Sequence, residues 1–437
     1  MLYYSTNDPK HTATLEQAVM RGLAPDGGLY MPQIVAKLPP AFLNNMAGMS
    51  LAEIGFAVAN FAFQGDIEAD ALHDIIFSVF TPNDFPITLI RIDGNRFVLE
   101  LFHGPTMAFK DVGALFMGQL LRHFRQTNPD WKDVHVLVAT SGDTGAAVAN
   151  GMLGVPGVRV TVLYPQDTLS YAQEAQFASL GQNVTALEVE GSYDDCKNLV
   201  NEALLDAELN KKMRMTTATT VNVARLVSQT IYYFYAYAQL CARGSQEPPV
   251  IAVPSANLGN LASGILARKM GLPVKRFVSV ENQNNIFYNY IATGQWQPRP
   301  SVASVAPALD AGNPTNFPRL TDMLGGLDEI RQVVHAYSYD DDAIVDTMRE
   351  VWEKHHYQFD PHSAIAWRGL NDDLAGGEVG ISLATAHPAK FRGIVEDKMG
   401  RNIDLPARLA RHFNGTRRVN TISNGYGSLR RLLLSGL

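Results

Sequence analysis

This chain has little thiol and little room for a membrane span. Two cysteines, Cys196 and Cys241, are all it carries in 437 residues, and they stand far apart, outside any Cys-x-x-Cys spacing. That excludes a disulfide framework and a cysteine-based zinc site, and it predicts two buried free thiols. The uncharged apolar runs stop short of spanning length, and Met1 to Lys10 is polar rather than signal-like. A cytoplasmic protein is the expectation. The excess of acid over base gives a net charge of -7. Such a chain has no overall attraction for nucleic acid or an anionic membrane, so any phosphate it binds must be held by a local site. No Walker loop, Gly-x-Ser-x-Gly elbow or histidine cluster with metal-ligand spacing occurs, and no metal is expected.

What is present is a balanced globular composition, 46% hydrophobic and 18% charged. The length predicts two or three domains. Residues 1–95 read as mostly helical, punctuated at Pro25-Asp-Gly-Gly28, Pro82 and Pro86, with helical spacing from Ser50 to Phe63. Beyond them, apolar strands alternate with helices. Arg96–Phe102, Val134–Ala139, Val158–Leu163, Val184–Val189, Val250–Val253, Val274–Val280 and Val379–Thr385 read as strands. Met107–Arg125, Ala146–Leu153, Gln173–Leu180, Asp194–Leu209, Val221–Leu240, Leu261–Met270, Asp342–Lys354 and Ser363–Leu370 read as helices. Such alternation predicts an α/β fold of parallel twisted sheets flanked by helices. The division expected is 1–95 (mostly helical), 96–245 (first α/β region) and 246–437 (second α/β region). The stretch from Asn282 to Arg319, rich in Asn, Pro and Ala, reads as irregular.

Four features could carry chemistry. Ser141-Gly-Asp-Thr-Gly145 follows an apolar strand and opens a helix. It is either an anion site made of free N–H groups and the hydroxyls of Ser141 and Thr144, or an ordinary capped turn. Pro254-Ser-Ala-Asn-Leu-Gly-Asn260 has the same construction and the same ambiguity. Lys110 begins a very apolar helix. Burial would lower its pKa toward the neutral amine that Schiff-base chemistry needs, but a surface lysine, or one paired with Asp111, is the commoner reading of the residues alone. Asn222, Arg225 and Gln229 form a polar stripe on an apolar helix, facing either a substrate or internal polar atoms. Tyr232-Tyr-Phe-Tyr235 reads as core or interface, His355-His356 as a solvated helix end, and His103, His362 and His387 as loop holders.

Taken together, these residues resemble threonine synthases. The resemblance rests on Gly22-Leu-Ala-Pro-Asp-Gly-Gly-Leu-Tyr30, His103-Gly-Pro-Thr106 with Ala108-Phe-Lys-Asp111, Ala139-Thr-Ser-Gly-Asp-Thr-Gly-Ala-Ala147, Asp360-Pro-His-Ser-Ala364 and Leu383-Ala-Thr-Ala-His-Pro-Ala-Lys-Phe391. The matches are collinear from about residue 3 to about 395. The resemblance implies a pyridoxal 5'-phosphate enzyme of fold type II, with Lys110 as the Schiff-base lysine and main acid/base. It places the cofactor phosphate at Ala256, Asn257, Leu258, Gly259 and Asn260, and the pyridine nitrogen at Thr385. Substrate binding would fall to Ser141, Gly142, Asp143, Thr144, Gly145 and Arg225. The implied reaction turns O-phospho-L-homoserine and water into L-threonine and phosphate, by γ-elimination and β-hydration. A small-molecule substrate is the expected partner, with no nucleic acid or membrane, in a monomer or homodimer.

Departures from the family pattern fall at Ala256 and Leu258 (usually Ser-Gly-Asn-Phe-Gly), Thr219-Thr220 (usually Asn-Ser) and Leu309 (usually Met). No match is evident after about residue 400. These changes keep two other readings open. One is a paralogue that releases phosphate and forms 2-oxobutyrate or adds another nucleophile. The other is a cofactor-free binding protein on the same scaffold. A Cβ at Ala256 would be costly if that residue required a positive φ.

Overall fold

The computed structural model describes residues 1–81, 85–128, 131 and 133–436. Pro82, one of the expected punctuation points, lies outside them.

Two sheets organise the molecule. The five-stranded sheet runs Val419–Ser423, Val184–Glu190, Val158–Pro165, Val134–Ala139, Arg214–Thr217, parallel throughout. The six-stranded sheet runs Val334–Ser338, Arg276–Glu281, Val250–Pro254, Gly380–Ala384, Arg96–Glu100, Thr88–Asp93. Its pairs are parallel except that the edge strand Thr88–Asp93 runs antiparallel. The central strands are β-branched and buried along their whole length, as at Val134–Ala139 and Val250–Pro254. Helices on both faces remove them from water, which is the setting parallel strands require. The long helix Val223–Ala242 is buried over nearly every turn and packs among Leu51–Phe63, Lys110–Thr127 and Gly259–Lys269.

The N-terminal part contains more than helices. Leu15–Arg21, Pro40–Asn45, Leu51–Phe63 and Ala69–Val79 are helical. Thr14 and Ser50 close capping boxes with Gln17 and Glu53 at the starts of the first and third of these. A small antiparallel sheet joins Tyr3–Ser5 to Thr12–Ala13 and Tyr30–Pro32. These strands are two or three residues long, too short for an alternating pattern to register.

The sheets do not follow a division of the chain at 95 and 245. Thr88–Asp93 and Arg96–Glu100 sit in the same sheet as Val250–Pro254, and Val419–Ser423 returns to the sheet of Val134–Ala139. The Asn282–Arg319 stretch is only partly irregular, because Ile286–Thr293 is an α-helix and Pro307–Leu309 a 3-10 turn. The helix expected over Asp194–Leu209 is interrupted at Asp206, which leaves helical geometry and caps a second helix, Ala207–Lys212. Of the two thiols, Cys196 is buried and Cys241 only partly so. Among the described residues no helix is long and apolar enough to cross a membrane.

Candidate active site

Several strand ends deliver residues to one cavity. Arg96–Glu100 leads through His103–Thr106 to Lys110, and Val134–Ala139 leads to Ser141. Arg214–Thr217 leads to Thr219-Thr220, Val250–Pro254 to Ser255, and Gly380–Ala384 to Thr385. Each loop leaves the carboxyl end of its strand, where ligands bind in open parallel sheets.

Of the thirteen expected site residues, Lys110, Ser141, Asp143, Thr144, Arg225, Ala256, Asn257, Leu258, Gly259, Asn260 and Thr385 line this cavity. Gly142 and Gly145 do not. Their N–H groups donate to Thr140 Oγ1 at 2.9 and 2.8 Å, so the turn consumes them internally. Gly142 itself sits at φ 124, tight against the Gln173 side chain, a conformation that excludes a Cβ.

Lys110 is the first residue of its helix, and its amine opens onto the cavity. Burial lowers its pKa. Asp143 opposes that shift, while the positive charges of Lys390 and Arg225 add to it. Asp111 is not its partner, because that carboxylate accepts Thr106 N at 2.9 Å and Thr106 Oγ1 at 2.5 Å.

Asp143 opens the helix Asp143–Gly151. Burial would raise its carboxyl. Lys390 and Lys110 nevertheless hold it well below the usual carboxylate range, and so it is ionised. Its Oδ1 takes Lys390 Nζ at 2.9 Å and Gln173 Nε2 at 3.1 Å. A carboxylate cannot contribute to holding an anion, so the anion-holding capacity of this loop lies in Ser141, Thr144 and the helix N-terminus.

Arg225 is 1% exposed. One of its guanidinium nitrogens donates to Ala218 O at 3.0 Å, while Nε has no protein partner. Gly113 makes room for it, since a Cβ there would lie 2.4 Å from Nε. Of the polar stripe on this helix, Asn222 is spent on Val19 O and Thr217 O, and Gln229 accepts from Ser263. Arg225 is the member that lines the cavity.

The 255–260 loop opens the helix Gly259–Lys269, whose first N–H groups have no intrahelical acceptor. The left-handed residue in it is Leu258, at φ 60, and not Ala256. Asn257 Oδ1 and Asn260 Nδ2 have no hydrogen-bond partner. Asn316 Nδ2 staples this loop to the neighbouring one, donating to Asn257 O and Thr220 Oγ1, each at 3.0 Å.

Several contributors escaped the sequence reading. Lys390 is fully buried; it stands between Ala and Phe in the Leu383–Phe391 motif, the same apolar context that singled out Lys110. Tyr232 and Tyr233 do belong to the core, as expected, and their hydroxyls also bind Asn260 Oδ1. His362 Nε2 accepts Ala308 N–H at 3.0 Å, and its Nδ1 lies 2.5 Å from Asp360. It therefore holds the 306–309 turn at the cavity edge, the loop-holding part expected of it from the sequence.

The residues suit a ligand with a carbonyl and a phosphate. An amine of depressed basicity shares the cavity with a helix N-terminus, the unpartnered Asn260 Nδ2 and a partly unpaired guanidinium. Lys110, the 256–260 loop and Thr385 are the groups that would hold pyridoxal phosphate.

The comparisons with known proteins bear on the family. Residues 91–384 match the family described as pyridoxal-phosphate dependent enzyme. Residues 2–80 match the threonine synthase N terminus and 363–432 the threonine synthase C-terminal family, so the tail without an evident motif is also covered. Threonine synthase of Escherichia coli K12 is 36% identical over 437 residues, covering 100% of both chains. The crystal structure of the Escherichia coli enzyme superposes with TM-score 0.93 at 35% identity, again covering 100% of both chains. The PLP-bound threonine synthase from Brucella melitensis gives 0.90 at 30% identity, covering 99% of this chain and 98% of that one. Full-length similarity at this level, with Lys110 and two anion-ready loops on a single cavity, makes this chain a member of the threonine synthase family of pyridoxal-phosphate-dependent enzymes.

Proposed function

We propose that this protein converts O-phospho-L-homoserine and water into L-threonine and phosphate, acting on this small molecule in the cytoplasm. The observation that carries the reading is Lys110. It is an amine of lowered basicity, facing a cavity walled by two helix N-termini and a buried guanidinium. The bound cofactor supplies the electron sink that stabilises negative charge on the substrate carbons. The protein's own groups do the rest.

Lys110 Nζ would hold the cofactor, and its free amine is the group that takes the proton from the substrate α carbon and later returns one. The N–H groups of the 256–260 loop, with Asn260 Nδ2, would hold the cofactor phosphate, and Thr385 would serve its ring nitrogen. Arg225, Ser141 and Thr144 hold the substrate phosphate as it leaves from the γ carbon. That bond breaks as a proton leaves the β carbon. The γ carbon then takes up a proton to become the methyl group, water bonds through its oxygen at the β carbon and gives up a proton, and the α carbon is reprotonated.

The test is to incubate the holoenzyme with O-phospho-L-homoserine and identify the product by mass spectrometry. Threonine formed in equal amount to phosphate supports the reading. Phosphate released with 2-oxobutyrate instead would make the protein a phospho-lyase. Lys110→Ala is expected to abolish both turnover and the cofactor's long-wavelength absorbance; unchanged turnover would refute the role of Lys110.

A further inference from the structure

Lys390 and Asp143 form a buried ion pair at 2.9 Å, with side chains 0% and 4% exposed. Burying two charges costs free energy that their attraction repays only in part, and packing alone would be served by apolar residues. Capping of the turn does not explain the carboxylate either. The turn it stands in is already capped by Thr140 Oγ1, which takes two of its N–H groups. Yet Asp143 lines the same cavity as Lys110, and each is among the charges that shift the other.

An ionised carboxylate next to an amine that must be neutral is a hazard. Left alone, it would draw a proton onto that amine. It would also cancel the field of its own helix N-terminus toward an incoming anion. Lys390 prevents both. It approaches from the 388–391 turn, anchored by donation to Thr106 O at 2.8 Å. Gln173 Nε2 takes the same Asp143 oxygen at 3.1 Å.

We propose that Lys390 is a positioning residue for Lys110, because it occupies the Asp143 carboxylate and so denies Lys110 a counter-ion. The inference rests on the reading of Lys110 as the reacting amine.

The other charges around the pair are accounted for. Arg225 faces Lys110 from the helix Val223–Ala242. Asp111 feels Lys390, but Thr106 supplies its hydrogen bonds and burial raises its carboxyl. His387 and His412 also feel Lys390; burial pushes each down to about 4, so both are neutral near pH 7.

The experiment compares Lys390→Met, Asp143→Asn and the double variant as full-length holoenzymes. Two quantities are read against pH. One is kcat with O-phospho-L-homoserine. The other, independent of turnover, is the labelling rate of Lys110 by an amine reagent in the full-length chain before cofactor loading. With Lys390→Met, the acid limb of both profiles should move up by about one pH unit or more, and turnover at neutral pH should fall roughly tenfold or more. Asp143→Asn alone should move the limb down, and the double variant should return it close to wild type. If Lys390→Met does not fold, the downward shift in Asp143→Asn carries the test. Limbs that stay in place in every folded variant, or a double variant as displaced as Lys390→Met, would overturn the proposal. Failure of the Lys110 reading looks different, because Lys110→Ala would then still turn over.

Discussion

The carboxamide oxygen of Asn260 accepts the hydroxyl of Tyr233 at 2.7 Å. Tyr232, one residue earlier on the same helix, donates to the same oxygen at 2.6 Å. Burial pushes both phenols well above the ordinary value, so they stay protonated and remain donors. With its oxygen fixed twice, the carboxamide has one orientation, and Nδ2 is left without a protein partner at the end of the 255–260 loop.

That arrangement predicts a binding phenotype for a core change. Replacing both residues, Tyr232→Phe with Tyr233→Phe, removes two buried hydrogen bonds while keeping the rings. Each bond contributes roughly 1 kcal/mol. Cofactor affinity, followed by absorbance titration, is expected to fall about tenfold, with kcat of the saturated enzyme little changed. Wild-type affinity would mean that Asn260 Nδ2 does not meet the phosphate.

Ala256 poses the opposite test. Its family counterpart is usually glycine, but the loop places its positive φ at Leu258, not at Ala256. The Ala256 side chain packs against the core around Phe102 and Phe359. Restoring glycine with Ala256→Gly should therefore leave cofactor affinity within about twofold. It should cost about 0.5–1 kcal/mol of stability through added backbone freedom. A tenfold gain in affinity on titration would show instead that the Cβ obstructs the phosphate.

The central strands and the two Gly-containing loops were legible because they concentrate β-branched residues and small residues in contiguous runs. Val134–Ala139 is recovered to the residue. In the two large sheets the strands that escaped are edges. Val419–Ser423 reads Val-Asn-Thr-Ile-Ser and leaves most of its side chains exposed, so no hydrophobic signal marks it. Arg214–Thr217 has four residues and opens on a charge. The Lys390–Asp143 pair was hidden for a different reason. Its partners are distant in sequence, and a lone lysine gives no sign of what it will meet. The departures at Thr219-Thr220, Ala256, Leu258 and Leu309 looked unrelated along the chain, yet all line the same cavity.

Arg225 allows a sharper separation of roles. Burial lowers its guanidinium to about 10, with Asp111 opposing, so it remains charged at neutral pH. Arg225→Met should lower kcat/KM by roughly a hundredfold, the scale of one or two charge-assisted hydrogen bonds, and weaken inhibition by inorganic phosphate in parallel. Cofactor affinity should be unchanged. Arg225→Lys should recover little, because a point charge cannot reproduce the planar fork. Phosphate inhibition that survives in Arg225→Met would place the substrate phosphate elsewhere.

Glu281 ties stability to pH. Its side chain is buried at the end of the strand Arg276–Glu281, where it accepts Tyr288 N at 2.7 Å and Phe287 N at 3.4 Å and so caps the helix Ile286–Thr293. Burial raises its pKa to about 8; the two backbone bonds and Arg299 oppose the shift without cancelling it. The folded state thus prefers the protonated acid more than the unfolded chain does. The stabilisation from that preference is fully present below the ordinary glutamate value of 4.5 and is lost as pH rises through about 8. Glu281→Gln keeps an acceptor for the helix N-terminus and removes the titration. Calorimetry of the two proteins from pH 6 to 9 should show the wild-type Tm declining more steeply, with the gap in favour of Glu281→Gln widening toward pH 9. At roughly 1.4 kcal/mol per pH unit, the gap should reach a few kcal/mol. Parallel curves would mean that the carboxyl titrates in its ordinary range and that water reaches this end of the strand.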